Sequence, residues 1–174
     1  NKLNLVKYGV FAQLSKSFFN DKLATSVGIR TDANSYSKEM GNPLEQISPR
    51  LSLSYAVSPI LSVNFNTGMY YQLPAYTILG YKEGNELVNK NNGVRYTRCN
   101  HIVGGIELNT KRNNRITIEG YYKQYSNYPF SIQKGISLAN LGADFGVIGN
   151  DQINSTSEGR TYGMEVLVQQ KLFK

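Results

Sequence analysis

Cys99 and His101 are the chain's single cysteine and single histidine, and they stand two residues apart. On a strand that spacing puts both on one face. They would supply two of the three or four ligands that a zinc site of this kind requires. No third Cys or His exists, so no metal centre is expected. A Ser-His-Asp relay would have to use His101, and nothing else in the sequence argues for one. With a single cysteine there is no internal disulfide framework. Neither G-x-x-x-x-G-K-S/T nor G-x-G-x-x-G occurs, so no phosphate cradle is marked and no cofactor is expected. Glu107, Glu119 and Glu165 fall on the polar sides of three alternating segments. Acid–base chemistry by paired carboxylates needs surroundings that drive their pKa values apart, and none are indicated. The bland expectation is pairing with basic neighbours such as Arg115. No catalytic residue and no enzyme activity are expected.

The elements that hold these residues follow from period. Over 174 residues, hydrophobic types make up 40% and charged types 18%, which excludes a disordered chain and points to one domain. No apolar run exceeds three residues, so within these residues neither a spanning helix nor a secretory signal peptide is expected. The chain begins at Asn1, and the expectation is a processed product or a cut piece. The formal charge is +7 with pI near 9.4, but the cations are scattered. Their densest cluster, Lys111, Arg112 and Arg115, flanks a turn, so no nucleic-acid partner is expected.

Period two dominates, the mark of strands with one apolar and one polar side. Leu51, Leu53, Tyr55 and Val57 alternate with Arg50, Ser52, Ser54 and Ala56. Leu61, Val63 and Phe65 alternate with Ser62, Asn64 and Asn66, and Ile116 and Ile118 with Thr117 and Glu119. A first strand is expected over about Leu3–Lys16, and a last from near Tyr162 to Leu172. The reading is all-β: an antiparallel up-and-down meander of about seven long strands, with one helical turn at most, in Gly135–Gly142. Short turns are expected near 18–22, 58–59 and 110–114, where Asn-Asp, Ser-Pro and Asn-Asn stand. Long loops are expected near 32–46, 74–96 and 126–158. The third is too apolar (Phe130, Ile132, Leu138, Leu141, Phe145) to be merely solvated.

Short turns at one end and long loops at the other is the pattern of transmembrane β-barrels. The strands, at 10 to 14 residues, are long enough to span. Their polar side is Ser, Asn, Gly and Gln rather than a Lys/Glu mixture. Aromatics gather at strand ends (Phe18, Phe19, Tyr70, Tyr71, Tyr76, Tyr121, Tyr122, Tyr125, Tyr128), as an interfacial girdle would. Seven strands would leave bare edges, and bacterial barrels have even counts. The expectation is therefore an arc of a larger barrel, residues 1–174 forming a partial domain. At about 25 residues per strand, a 22-stranded barrel would need roughly 550 residues.

Several segments then carry a family resemblance. Tyr8-Gly-Val-Phe-Ala-Gln-Leu with Leu23 to Asp32 resembles a barrel hairpin of TonB-dependent outer-membrane receptors. Ser48-Pro-Arg-Leu-Ser-Leu-Ser-Tyr55 is similar to the strand that follows there. Gly68 to Tyr76, Ile118 to Pro129 and Gly159 to Val166 resemble later pieces in the same order, with a Bacteroidetes-like composition. The plug, the energy-coupling box and the terminal aromatic strand of that family have no counterpart in this sequence. The resemblance implies a parent that binds a scarce, bulky nutrient (iron chelate, cobalamin or glycan) and imports it with energy from the inner membrane. The implied partners are the parent's plug, the TonB complex, outer-membrane lipid and a surface lipoprotein. Self-association of an isolated fragment is expected where its apolar face lacks lipid.

Arg30, Asp32 and Arg50 are expected on the luminal side near the loop end, either touching ligand or plug or forming a charge ladder in the wall. Asn64 and Asn66 share that side and are candidates for the same ligand or plug contact. Tyr70, Gln72, Tyr76 and Tyr81 lead into the second loop, where they would either contact ligand or plug or belong to the girdle. Two other classes fit alternation alone: a soluble up-and-down barrel around a small hydrophobic ligand, and a surface interaction module.

Overall fold

A computed structural model of the chain describes residues 3–110, 114–141 and 148–170. The strands are β1 (Lys7–Phe18), β2 (Leu23–Asn34), β3 (Ser48–Ser58), β4 (Leu61–Gln72), β5 (Thr97–Asn109), β6 (Asn114–Ser131), β7 (Ile136–Ser137) and β8 (Ile153–Gln170). Each long strand pairs antiparallel with the next, from β1 through β6 to β8. β7 is a two-residue strand on the top of β6. The result is an open, all-antiparallel meander of seven long strands, as the period-two pattern implies.

The turns follow from local chemistry. Between β1 and β2, Phe19, Asn20 and Asp21 all take positive φ (57°, 54° and 65°). Asn and Asp tolerate that region because their short side chains bond locally. Between β3 and β4 the Ser58 hydroxyl accepts from the backbone N–H groups of Ile60 (3.4 Å) and Leu61 (3.2 Å). That is the turn role for which a Ser-Pro step is suited. Asn113 of the third short turn lies outside the described residues, as do Lys111 and Arg112.

The long connections depart from the sequence reading. β1 starts at Lys7 rather than near Leu3, while Leu3 and Leu5 pack against buried residues of the loops. β2 runs on to Asn34, past the expected loop start at 32. The third connection was expected over 126–158, but β6 continues to Ser131 and β8 already begins at Ile153. The register slips between Tyr125 and Phe130, and Asn127 has φ 56°. These bulges break the period on which strand reading relies. The loops also hold one-turn helices: α1 (Lys38–Gly41), α2 (Tyr76–Leu79) and α3 (Val88–Asn91). Single 3₁₀ turns lie at Pro43–Gln46 and Leu138–Asn140. The last falls inside the expected helical turn, whose end at Gly142 lies outside the described residues, as do Phe145 and Leu172. Elements of four residues are too short to show a 3.6 period.

The register sorts most apolar side chains to one face, with Phe11, Val103 and Leu167 as exceptions on the other. Val27, Leu51, Thr67, Ile102, Tyr122 and Tyr162 form one continuous cross-strand row. Leu53 and Phe65 stand one row away, and Val63, Ile106, Ile118 and Val166 in the row beyond. Leu61 and Ile116 share this face. Arg50, Ser52, Asn64, Asn66, Thr117 and Glu119 stand on the other. The apolar face is the exposed one: Val27, Ile106, Val166 and Val168 are 52%, 45%, 57% and 69% accessible. Its opposite is concave and tighter, with Thr117 at 7%. A soluble barrel would do the reverse, so the sheet is built inside-out. Aromatic placement corrects the girdle expectation. Tyr70, Tyr121 and Tyr125 share the concave face, while Phe18, Tyr71 and Tyr122, with Tyr8, Tyr55, Phe65 and Tyr162, fall on the outward face by register.

A charge on the outward face should be costly and one on the concave face mild. Ile118→Arg should destabilise the membrane-embedded barrel by about 2–4 kcal/mol, and Asn66→Arg by much less. Urea unfolding in bilayers measures both, and equal costs would contradict the facing.

Candidate functional site

The concave wall begins as a hydrogen-bonded polar lattice. Gln13 Nε2 donates to Ser26 Oγ (2.9 Å), and Ser15 and Ser26 share a 3.0 Å contact. Toward the loop end the wall becomes charged. Arg30 grips Asp32 through two bonds of 2.6 Å, Nε to Oδ2 and Nη2 to Oδ1. The pair is half-exposed, so its contribution to stability is small, and its effect is mainly to fix both side chains. Arg50 makes no ion pair among the described residues. Its guanidinium lies 4.5 Å from the centroid of the Tyr70 ring, a cation–π contact. Tyr70 also stands 5.6 Å from the His101 ring. Gly68 makes room for this stack. A Cβ there would sit 3.0 Å from the Pro49 carbonyl, 3.1 Å from Arg50 Cγ and 3.2 Å from Tyr70 Cε2.

Arg30, Asp32 and Arg50 line one cleft of about 520 Å³, with Lys7 and Gly9 of β1 and Tyr71, Leu73 and Tyr96 from the loop side. Lys7 Nζ donates to the Tyr76 hydroxyl at 2.5 Å. The ammonium lies 5.2 Å from the ring centroid, beyond the hydroxyl rather than over the face, so the contact is a hydrogen bond. Gln72 lines a separate cleft of about 330 Å³ with Tyr128 and Leu138. Asn64 and Asn66 stand lower on the wall and line neither cleft. Tyr81 bonds Glu83 at 3.0 Å in the loop. Near the short turns Glu107 is held by Arg115 (2.5 Å) and Asn109 (2.8 Å), the expected basic pairing. Glu119 and Glu165 are instead direct cross-strand partners, a like-charge arrangement that costs stability.

The buried core lies in the loops. Tyr36, Met40, Ile78, Leu79, Val94, Tyr96, Leu138 and Ile153 form one cluster spanning all three long connections. Two buried asparagines lock it. Asn34 Nδ2 donates to the Tyr96 hydroxyl (2.8 Å) while its Oδ1 accepts from Tyr36 N–H (2.8 Å). Asn89 Nδ2 donates to the carbonyls of Ile78 (2.8 Å) and Asp151 (3.0 Å), and its Oδ1 accepts from Ile153 N–H (2.7 Å). Ser131 adds a 2.6 Å bond to Asp151 Oδ2. The apolar third connection therefore folds onto the other loops through Leu138 and Leu141. Sequence reasoning missed both asparagines, because an Asn in a polar loop carries no periodic signal.

Asn89→Ala should strip three buried bonds and loosen this cap by about 2–4 kcal/mol. Hydrogen exchange should rise across residues 76–94 and 148–153 and stay unchanged in β1–β5, while a uniform response would contradict a separate loop core. Burial pushes the Tyr36 hydroxyl up to about 12 from an ordinary 10.0, and that hydroxyl has no partner. The folded cap holds this proton more tightly than the unfolded chain does. The stabilisation is therefore full below pH 10 and lost as pH climbs toward 12. Tyr36→Phe should flatten that alkaline loss without lowering stability at pH 7, which melting curves at the two pH values measure.

The sequence matches the family described as TonB dependent receptor-like, beta-barrel, over residues 2–173. Among curated proteins no sequence relative was found. Among solved structures the fold is similar to that of the copper transporter OprC, with a TM-score of 0.65 and 18% identity. That alignment covers 97% of this chain and 26% of the transporter, so the chain spans about a quarter of that protein's length. At such identity the likeness concerns the fold. Proteins of this receptor family lie in the Gram-negative outer membrane and are receptors and transporters rather than enzymes. With a family match over nearly its whole length and an inside-out antiparallel sheet, the chain belongs to the TonB-dependent receptor-like β-barrel family.

Proposed function

We propose that this chain is one arc of a larger outer-membrane barrel, of about 22 strands, belonging to a receptor that binds and imports a scarce nutrient. Energy would come from the inner membrane through TonB acting on a plug inside the barrel. The observation that carries this reading is the inside-out sheet, with an exposed apolar band outside and a cationic, aromatic cleft on its concave side. The two outer strands, β1 and β8, each have one long-strand neighbour among the described residues. Unpaired edges are costly in hydrocarbon, which supports a longer sheet around them.

In this reading Arg30, Asp32, Arg50 and Tyr70 meet ligand or plug at the loop end of the lumen. Asn64 and Asn66 keep the wall below them wet. Gln72 and Tyr76 act from the loop rim, with a surface lipoprotein as a further partner there. Iron chelates, cobalamin and glycans remain the substrate classes. The copper named for OprC would join them only if the likeness extended beyond fold.

Deleting the gene should abolish growth when one of these nutrients, supplied externally, is the limiting source. Loss of TonB should have the same effect. Arg50→Ala should lower uptake of that nutrient at least about fivefold, as loss of a charge-assisted contact would, without changing receptor abundance. Normal growth of the deletion strain on every one of them would contradict the proposal.

A further inference from the structure

Several glycines face the concave side, and most are covered by a neighbour. A Cβ on Gly9 would lie 2.6 Å from Asp32, one on Gly68 3.1 Å from Arg50, one on Gly105 2.7 Å from Glu119, and one on Gly163 2.7 Å from Tyr121. Gly28 is different. It stands between Gln13 on β1 and Arg50 on β3, its direct cross-strand partners. A Cβ there would meet nothing nearer than 3.6 Å, an ordinary contact, so packing does not require glycine at this position. The space is instead open, a notch of about 240 Å³ lined by Phe11, Gln13, Gly28, Arg30 and Arg50. Two bonds hold its neighbours clear. Gln13 is tied toward the short turns by Ser26 (2.9 Å), and Arg30 toward the loops by Asp32 (2.6 Å).

The two walls of the notch differ in chemistry. Phe11, the cross-strand partner of Arg30, is an apolar exception on the polar side and is 73% exposed. Its ring offers a face for another flat ring. Arg50 stands opposite. One face of its guanidinium is taken by the Tyr70 ring. Its single hydrogen bond among the described residues is a 3.5 Å contact from Nη2 to Ser48 Oγ. Stacking leaves the in-plane N–H donors free, and their fork matches the two oxygens of a carboxylate. Arg30 and Arg50 line both this notch and the larger cleft above it, so the two spaces adjoin. At less than the ~300 Å³ where drug-sized sites begin, the notch takes one ring of a cargo rather than the whole.

We propose that the notch over Gly28 is a subsite for a carboxylate carried on a six-membered ring. The ring lies over Gly28 against Phe11, and the carboxylate pairs with the free edge of Arg50. Tyr70 is a positioning residue, which holds that guanidinium by its face. The inference rests on the import reading above and adds to it the chemistry of the cargo. An acidic sugar or an aryl acid satisfies the notch, and a neutral glycan does not.

The test is calorimetric titration of the intact receptor that carries this chain, purified from outer membrane in mild detergent. The probes are digalacturonate and benzoate, each beside its neutral amide. At least one acid should bind about tenfold or more tighter than its amide, as a charge-assisted pair requires, and which acid does so identifies the source of the carboxylate. Gly28→Leu, which fills the notch and leaves every cation in place, should remove that preference. Arg50→Gln should remove it too, and Arg50→Lys should keep part of it. Tyr70→Phe should preserve it and Tyr70→Leu should weaken it. A heat-modifiable band shows which variants fold, and should Gly28→Leu not fold, Arg50→Gln carries the comparison. Equal binding of acid and amide for both probes would overturn the proposal, as would an undiminished preference in folded Gly28→Leu or Arg50→Gln. Growth of the deletion strain decides the import reading separately. A strain that needs the receptor, together with equal binding of acid and amide, overturns the notch alone.

Discussion

A chain in hydrocarbon has no water for its amides, so each N–H and C=O must find a partner within the sheet. That requirement governs the rest of this structure. It makes the strands long, 11 to 18 residues against the usual five or six. It holds them in a plain meander, where each hairpin satisfies its neighbour without crossovers. It also fixes register, because a one-residue slip would turn every Leu and Val of the outward band into the lumen. The alternation around Leu51, Val63 and Ile118 is the sequence-level record of that condition.

With the apolar face given over to lipid, the sheet has no core of its own. The buried cluster is displaced into the loops, where Met40, Leu79 and Ile153 are fully inaccessible. Water-exposed connections of this length would ordinarily be mobile. Here Asn34 joins the Tyr96 hydroxyl of the second connection to the Tyr36 backbone of the first, and Asn89 ties backbone of the second and third connections together. The cap and the wall meet at the cleft, where Tyr71 and Tyr96 face Arg30 and Arg50. Below the cap the wall is a cationic surface on which Asp32 offsets one of three cations, Lys7, Arg30 and Arg50.

What was legible in the sequence follows the same division. The spanning parts of β3, β4, β5 and lower β6 were readable because lipid on one side and water on the other impose strict alternation. Their facing, down to Arg50 opposite Leu51, came with it. The upper parts of β6 and β8 were not readable. Above the membrane both faces meet polar surroundings, and bulges at Tyr125 and Tyr128 break the period. The one-turn helices and the locking asparagines were hidden for a related reason: they are specified by tertiary contacts between loops distant in sequence. Parity puts Arg30, Asp32, Arg50 and Lys7 on one side of the sheet, and the structure gathers all four along one cleft. The bond of Lys7 to Tyr76, 69 residues away, carries no sequence signal. The tyrosines misled where residue type was weighed above parity: Tyr70 shares the side of Asn64 and Asn66, and its place on the concave wall was already implied.

The central claim is that the sheet faces lipid with its apolar side and the lumen with its polar side. Cysteine scanning along β6, from Ile116 to Tyr122, tests it most directly, in a Cys99→Ser background with a fluorescent label at each position. In bilayers of brominated lipid, quenching should be strong at 116, 118, 120 and 122 and weak at 117, 119 and 121. The opposite alternation, or quenching without a two-residue period, would contradict the account.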